Sequence, residues 1–284
     1  GKGVDFEVFT LNSYPIIEEQ IKQIGAPHHW IERTIDPALL EENKKGAYNG
    51  HVPISMIYAF TSLLVAAAER HKYIVLSNEH SSNYGNVEYL GESINHQWSK
   101  SLEFEQLFQK YVKKFITPDI TYFSLLRPVY EITIAQKFIE NEKWLNQFTS
   151  CNTNFKITES EEGKWCGKCA KCAFVFAILA PFVEEKKLVG ALGRNLFADE
   201  NLWPLYEELL GLKEVKPFDC VGTPEEVKVA LAMVHEKGEY VGDAVMDSFA
   251  KDVLPTITNL EEMKKEVFSF SSEHSIPEFF KQKI

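Results

Sequence analysis

Residues 53–79 read PISMIYAFTSLLVAAAERHKYIVLSNE, and this stretch decides the fold class. Pro53 sits where the first turn of a helix needs no amide donor, and the run from Ile54 to Ala68 holds neither Gly nor a second Pro. A helix is therefore predicted over Pro53–Arg70. Tyr73–Leu76 (YIVL) then reads as a short strand, breaking off at the polar trio Ser77-Asn78-Glu79. A helix that runs straight into a strand is half of a βαβ unit, and the same alternation continues on both sides.

Upstream, Phe6–Leu11 (FEVFTL) is a strand candidate ending at Asn12-Ser13-Tyr14, and Ile16–Ile24 follows with helical spacing. His29–Ile35 is a second strand candidate, closed by Asp36-Pro37. Downstream, Leu102, Phe104, Leu107, Phe108, Tyr111 and Val112 form the stripe of an amphipathic helix over Lys100–Phe115. Tyr122–Leu126 is a fourth strand, and a helix over Ile132–Phe148 completes the pattern. The fold class predicted is α/β, a parallel sheet with helices on both faces. Beyond Cys151 the pattern turns helical, at Ala173–Glu185, Trp203–Leu210, Pro224–Lys237 and Leu260–Val267. We place a boundary near residue 150, with an α/β domain over 1–150 and a cysteine element plus mainly helical region over 151–284.

With 284 residues, 45% hydrophobic and 13% aromatic, the chain can bury a core. Its net charge of -11 argues against a nucleic-acid partner, whose backbone it would repel. The apolar runs Ile54–Ala68 and Ala173–Val183 fall short of the roughly 20 residues that span a bilayer. Without a recognisable leader and with only five cysteines, a cytoplasmic location is expected. The chain opens with Gly1-Lys2-Gly3 and enters a strand at once, so a fragment of a longer protein is expected.

Four of those cysteines, Cys151, Cys166, Cys169 and Cys172, fall in one short stretch with two overlapping CxxC steps. This spacing lets tight turns aim several thiolates at one ion, and four sulfurs make a closed, structural zinc site. Lys164, Lys168 and Lys171 offset the thiolate charge. Two disulfides, or ordinary buried cysteines, are the alternatives.

In a parallel α/β sheet, ligands bind beyond the carboxyl ends of the strands. The residues there are Asn12 and Ser13, then Asp36, then Ser77, Asn78 and Glu79, then Arg127. The loop from Ser77 to Gln97 is longer than a structureless connection usually runs, and it carries His80, Ser81, Ser82, Asn86, Asn95 and His96. Tyr84, Tyr89, Ile94 and Trp98 anchor it, so an ordered binding lid is predicted. Asn49-Gly50-His51 stands at the start of the long helix, where free backbone NH groups favour an anion. A packed or capping His51 is the bland alternative, as a small buried hydrophobe is for Cys220 and a surface ion pair for Arg127.

Six segments carry a more specific likeness: NGHVPISMIYAF (49–60), LSNEHSSNYGN (76–86), NHQWSKSLEFE (95–105), LLRPVYEITIA (125–135), WCGKCAKCAFVFAILAPF (165–182) and KPFDCVGTPEEV (216–227). Together they resemble the bacterial UDP-N-acetylmuramoyl-L-alanyl-L-glutamate epimerase family, within the adenine-nucleotide alpha-hydrolase (PP-loop ATP pyrophosphatase) fold. The resemblance implies conversion of the terminal L-Glu of UDP-MurNAc-L-Ala-L-Glu to D-Glu, with ATP cleaved to AMP and pyrophosphate in the presence of Mg2+. It implies nucleotide contacts at Asn12, Ser13, Ser77, Asn78, Glu79 and Arg127, and substrate contacts at Asn49, Gly50, Ser81, Ser82, Asn86 and Asn95. Inversion at an alpha carbon asks for a base on one face and an acid on the other. The candidates are His51, His96, Lys100 and Cys220. The chain departs from the fold's pattern in having no Ser-Gly-Gly-x-Asp-Ser phosphate loop, so the amino-terminal portion carrying it is expected to be missing. Another carboxylate-adenylating synthase, similar to the deazaguanine nitrile synthases, and a non-catalytic zinc-stabilised interaction domain are the alternatives.

Overall fold

The structure, a computed structural model, describes residues 3–12, 14–48, 52–155 and 163–282. In chain order, β1 (Val8–Leu11), α1 (Pro15–Ile24), β2 (His28–Ile31), α2 (Pro37–Lys44), α3 (Ile54–Ala68) and β3 (Tyr73–Leu76) come first. Then follow β4 (Val87–Tyr89), β5 (Glu92–Ile94), α4 (Leu102–Phe115), β6 (Thr121–Ser124) and α5 (Glu131–Phe138). The remainder is helical: α6 (Ala170–Leu179), α7 (Glu185–Leu192), α8 (Trp203–Leu209), α9 (Pro224–Lys237), α10 (Ala244–Ser248), α11 (Leu260–Val267) and α12 (Glu278–Lys281). No helix among the described residues is long and apolar enough to cross a membrane.

Contacts divide the chain into two compact units. The first comprises Gly1–Leu76, His96–Phe123 and Ser275–Ile284. In it β1 and β2 run parallel, Val8 opposite His28 through Leu11 opposite Ile31. Gly25, at φ 68, ends α1 in the left-handed conformation and returns its N–H to the Ile21 carbonyl. β3 pairs with β6, and the amphipathic α4 lays Phe104, Phe108 and Val112 into a core with Ala59, Leu63 and Tyr122. Ser101 caps α4, accepting from the Phe104 N–H at 3.1 Å.

The sequence predicts one four-stranded sheet, whereas the described strands of this unit form two separate pairs. Each strand has only four residues, and β3 leaves Tyr73 and Val75 exposed, unlike an interior strand of a doubly wound sheet. The class is α/β with short sheets.

The second unit comprises Ser77–Asn95 and Ser124–His274. Its first segment, within the polar loop that the sequence predicts to be ordered, contains a 3-10 turn at His80–Asn83 and the antiparallel hairpin β4–β5, Val87 opposite Ile94. Leu90 (φ 53) and Gly91 (φ 80) make the hairpin turn, both in the left-handed region that a tight two-residue connection requires. The core is centred on α6, buried at every position but Lys171, as expected of a helix apolar all round. Phe176 packs edge-on against Phe197 at 4.8 Å and lies 5.8 Å from Tyr240. Helices α9 and α11 fall where their periodicity predicts. The long helix predicted over 132–148 instead stops at Phe138 and tightens into a 3-10 segment, Ile139–Trp144, with Asn141 out of helical geometry.

Truncating Phe176, a fully buried ring, leaves a cavity at the centre of this core. Phe176→Ala is expected to cost about 3–5 kcal/mol in urea unfolding followed by circular dichroism, and a loss under ~1 kcal/mol would contradict the packing described.

Candidate functional site

The second unit holds the cysteine cluster. Cys151 leads into a 3-10 turn, Cys166 and Cys169 bracket a tight loop, and Cys172 lies in the first turn of α6. Gly167 supplies the loop's positive φ of 68, and a Cβ there would come within 2.4 Å of the Arg194 side chain. The sulfurs of Cys151 and Cys169 lie 3.9 Å apart, Cys166 and Cys172 3.8 Å, and Cys169 and Cys172 3.5 Å. A tetrahedron of 2.3 Å metal–sulfur bonds has edges of about 3.8 Å. All four cysteines are free thiols at separations far beyond an S–S bond, which removes the disulfide alternative.

Hydrogen bonds to sulfur support the cage from outside, from the Cys166 N–H to Cys151 Sγ at 3.4 Å and between Thr153 Oγ1 and Cys151 Sγ at 3.0 Å. Contact with Cys172 draws the Cys169 thiol down to about 5 and pushes Cys172 well up. Cys169 also stands at the N-terminus of α6, where the helix dipole favours a thiolate. The cluster can hold one metal ion.

A polar network converges beside it in the same unit. Arg127, wholly buried, donates through Nη1 to the Glu79 carbonyl at 2.9 Å and to Ser82 Oγ at 2.8 Å. Glu226 is also wholly buried, its Oε2 accepting from Ser81 Oγ at 2.6 Å and the Thr223 N–H at 2.7 Å, its Oε1 from the Ile132 N–H at 3.1 Å. Burial raises its pKa, and these three donors oppose the rise. Gly222 is obligatory beside it, since a Cβ would lie 2.4 Å from Glu226 Oε2 and 2.7 Å from the Phe174 ring.

The segment Lys216–Pro217 is pinned to the hairpin. The Lys216 N–H donates to the Asn86 carbonyl at 3.2 Å, and Asn86 Nδ2 donates to the Pro217 carbonyl at 2.9 Å. Burial lowers the pKa of the Lys216 ammonium, opposed by the fields of Glu131, Glu226, Glu79 and Cys220. A cleft of about 680 Å³ runs from this lysine to the cysteine loop, lined among others by Lys168, Cys169, Lys213, Lys216, Phe218 and Asp219. Its size suits a small-molecule ligand, and its lining balances Lys168, Lys213 and Lys216 against Glu208, Glu214 and Asp219. Nearby, Lys171 Nζ donates to the Cys220 carbonyl, tying that cysteine's turn to α6.

The structure thus gathers Ser77, Asn78, Glu79, Ser81, Ser82, Asn86, Asn95, Arg127 and Cys220 into one unit. Asn78 Nδ2 donates to Ser124 Oγ at 3.2 Å, and Asn95 Nδ2 to the Ser82 carbonyl at 2.8 Å. Much of this polarity holds the loop in shape: Ser77 is exposed, whereas Ser81, Asn86 and Arg127 are buried. Asn12, His96 and Lys100 belong to the other unit, where Asn12, at φ 61, accepts through Oδ1 from the Arg33 N–H at 2.8 Å. Ser13, Asn49, Gly50 and His51 lie outside the described residues. Sequence reasoning missed Lys216 and Glu226. Glu226 left a trace, as the last residue of the capping box Thr223-Pro224-Glu225-Glu226; nothing local marks Lys216 as buried.

Comparison with known proteins places this geometry in context. Residues 1–125 match the family model of the MurL N-terminal domain, and residues 147–264 that of the MurL C-terminal domain. A UDP-N-acetyl-alpha-D-muramoyl-L-alanyl-L-glutamate epimerase of Xanthomonas oryzae pv. oryzae is 37% identical over 277 residues, 97% of this chain and 61% of the relative. A Micromonospora protein of the same name is 36% identical over 275 residues, again 97% of this chain and 61% of the relative. One from Salinispora tropica is 37% identical over 253 residues, 89% of this chain and 55% of its own length. The chain therefore spans about three fifths of the length of the curated relatives it matches. No solved structure matches it. Two domain models of one family match in order along the chain, and the identity runs nearly end to end: the chain belongs to the MurL family.

Proposed function

We propose that this chain is the greater part of an enzyme that epimerises the terminal L-Glu of UDP-MurNAc-L-Ala-L-Glu to D-Glu, in cytoplasmic synthesis of peptidoglycan precursors. One observation carries the reading: identity of 36–37% to proteins named for this epimerisation, sustained over 97% of the chain. In this reading ATP is a substrate, accompanied by Mg2+, and residues 1–150 are the larger share of a PP-loop-type α/β domain joined to the cysteine element and helices of 151–284.

The chemistry explains the use of ATP. A carboxylate resists loss of its alpha proton because the product carries additional negative charge. Transfer of AMP to that carboxyl, with pyrophosphate leaving, makes an activated acyl group whose alpha proton is far more acidic. A base removes the proton from one face, an acid returns one to the other, and water then cleaves the acyl–AMP bond to give D-Glu and AMP. Among the described residues, Asn12 and Arg127 are engaged in backbone and loop contacts and offer no ready triphosphate cradle. Nucleotide binding thus draws on groups beyond those two. Cys220, His96, Lys100 and His51 are the proposed acid and base, and Ser77, Asn78 and Glu79 line the approach. Lys216, a half-buried cation in the cleft lining, is added to the set as the group that draws in an anionic part of the substrate.

The thiolate cluster is proposed to hold zinc. Its four donors are sulfur, its spacing fits tetrahedral bonds and its ligand set is closed, so the ion would brace the turn carrying Cys166–Cys169 and present no position to water.

In the full-length protein, UDP-MurNAc-L-Ala-L-Glu is expected to yield D-Glu only with ATP present, as read by chiral analysis of glutamate released on hydrolysis. Cleavage of ATP with L-Glu unchanged would overturn the epimerase reading. Lys216→Met is expected to reduce kcat/KM by about 10²-fold, the scale for losing one preorganised charge contact. The same change bears on stability. The folded-state pKa of Lys216 lies below its ordinary 10.5, so its charged form opposes folding at neutral pH, and this opposition fades as pH rises toward 10.5. K216M should therefore melt above the wild type at pH 7, with the gain shrinking toward pH 10. Metal analysis of protein purified without added metal is expected to return one tightly held zinc per chain. Cys172→Ser should lose it together with cooperative unfolding, and freely titratable thiols in the wild type would contradict the cage.

A further inference from the structure

A second constellation lies in the first unit. Glu7, just before β1, His29 in β2 and His71, after α3, present ligand atoms within 4.8 Å of one another. Both histidines point the same ring nitrogen at the same oxygen: His71 Nε2 lies 2.9 Å from Glu7 Oε2, and His29 Nε2 also bonds it. The rings stand 6.0 Å apart at 76°, the splay of two imidazoles converging on a common point.

Three features of the backbone build this arrangement. In the parallel pair Phe9 lies opposite His29, and Glu7, two residues before Phe9, shares its face of the strand. His71 is aimed by the turn that ends α3: Arg70 takes a left-handed φ of 61, and the His71 N–H closes onto the Ala66 carbonyl at 2.8 Å. The neighbouring His28 is excluded, since its Nε2 is 2.7 Å from Thr10 Oγ1.

We propose that Glu7, His29 and His71 form a binding site for a divalent transition cation, zinc or a first-row neighbour, separate from the thiol cluster. Two imidazole nitrogens and one carboxylate oxygen suit such an ion and not Mg2+ or Ca2+, which take oxygen ligands. The side chains are 27–36% exposed, so water can fill the remaining coordination positions. Bound there, the ion joins the β1–β2 pair to the end of α3, three segments of one unit otherwise linked at this point by two hydrogen bonds. Because this set has only three donors, two of them neutral imidazoles, and is open, it binds more weakly than four thiolates and fills only on addition of metal.

The test is equilibrium dialysis of the purified chain against added Zn2+, comparing the wild type with His71→Gln and with Glu7→Gln. The wild type is expected to take up one more equivalent than H71Q, whatever the thiols hold, and E7Q should bind that equivalent at least about 10-fold more weakly. Equal stoichiometry in wild type and H71Q would overturn the proposal. Should H71Q fail to fold, His29→Gln takes its place in the same dialysis, and equal stoichiometry in wild type and H29Q overturns the proposal.

Discussion

The second unit is organised around one buried charge. Glu226 is fully enclosed, and a carboxylate without water must be met by donors or it neutralises. It is met by three, from three parts of the chain: Ser81 of the 3-10 turn at His80–Asn83, Ile132 at the start of α5 and Thr223 at the cap of α9. Moving any of these leaves an acid in an apolar interior, so the contact fixes the 3-10 turn, α5 and α9 with respect to each other. The arrangement also explains Gly222, where a methyl group would collide with both the carboxylate and the Phe174 ring.

Arg127 repeats the logic with opposite charge. The sequence places it among the nucleotide contacts at a strand end; in the fold its guanidinium is buried beneath the 3-10 turn, bonded to Glu79 and Ser82. Two enclosed charges hold one loop from two sides. A loop so held can present a fixed surface to a ligand without losing much order entropy on binding.

How much could be read in advance follows from the range of each interaction. The α/β alternation and the bounds of α9 and α11 are written in local periodicity, so they are legible. The thiol cage is legible too, because CxxC spacing is a local geometric instruction. The hairpin at 87–94 is less so: its turn uses Leu90 before Gly91, and a leucine in the left-handed region carries no turn signal. Lys216 is illegible, since its partial burial accompanies pairing with Asn86, more than a hundred residues earlier. The same holds for the sheet, because strands of four residues specify their partners weakly and the pairing is decided by what packs on each face.

The cage and the cleft are physically one construction. Cys169 belongs to both: its sulfur completes the thiol cluster, while the residue lines the cleft that ends at Lys216. Lys171, two residues along, reaches the carbonyl of Cys220 and so couples the position of that turn to the first residues of α6. A metal in the cage would then set the wall of the cleft and, through Lys171, the location of the one cysteine outside the cluster. A closed site with no open coordination position would brace the wall that Cys169 contributes to the cleft.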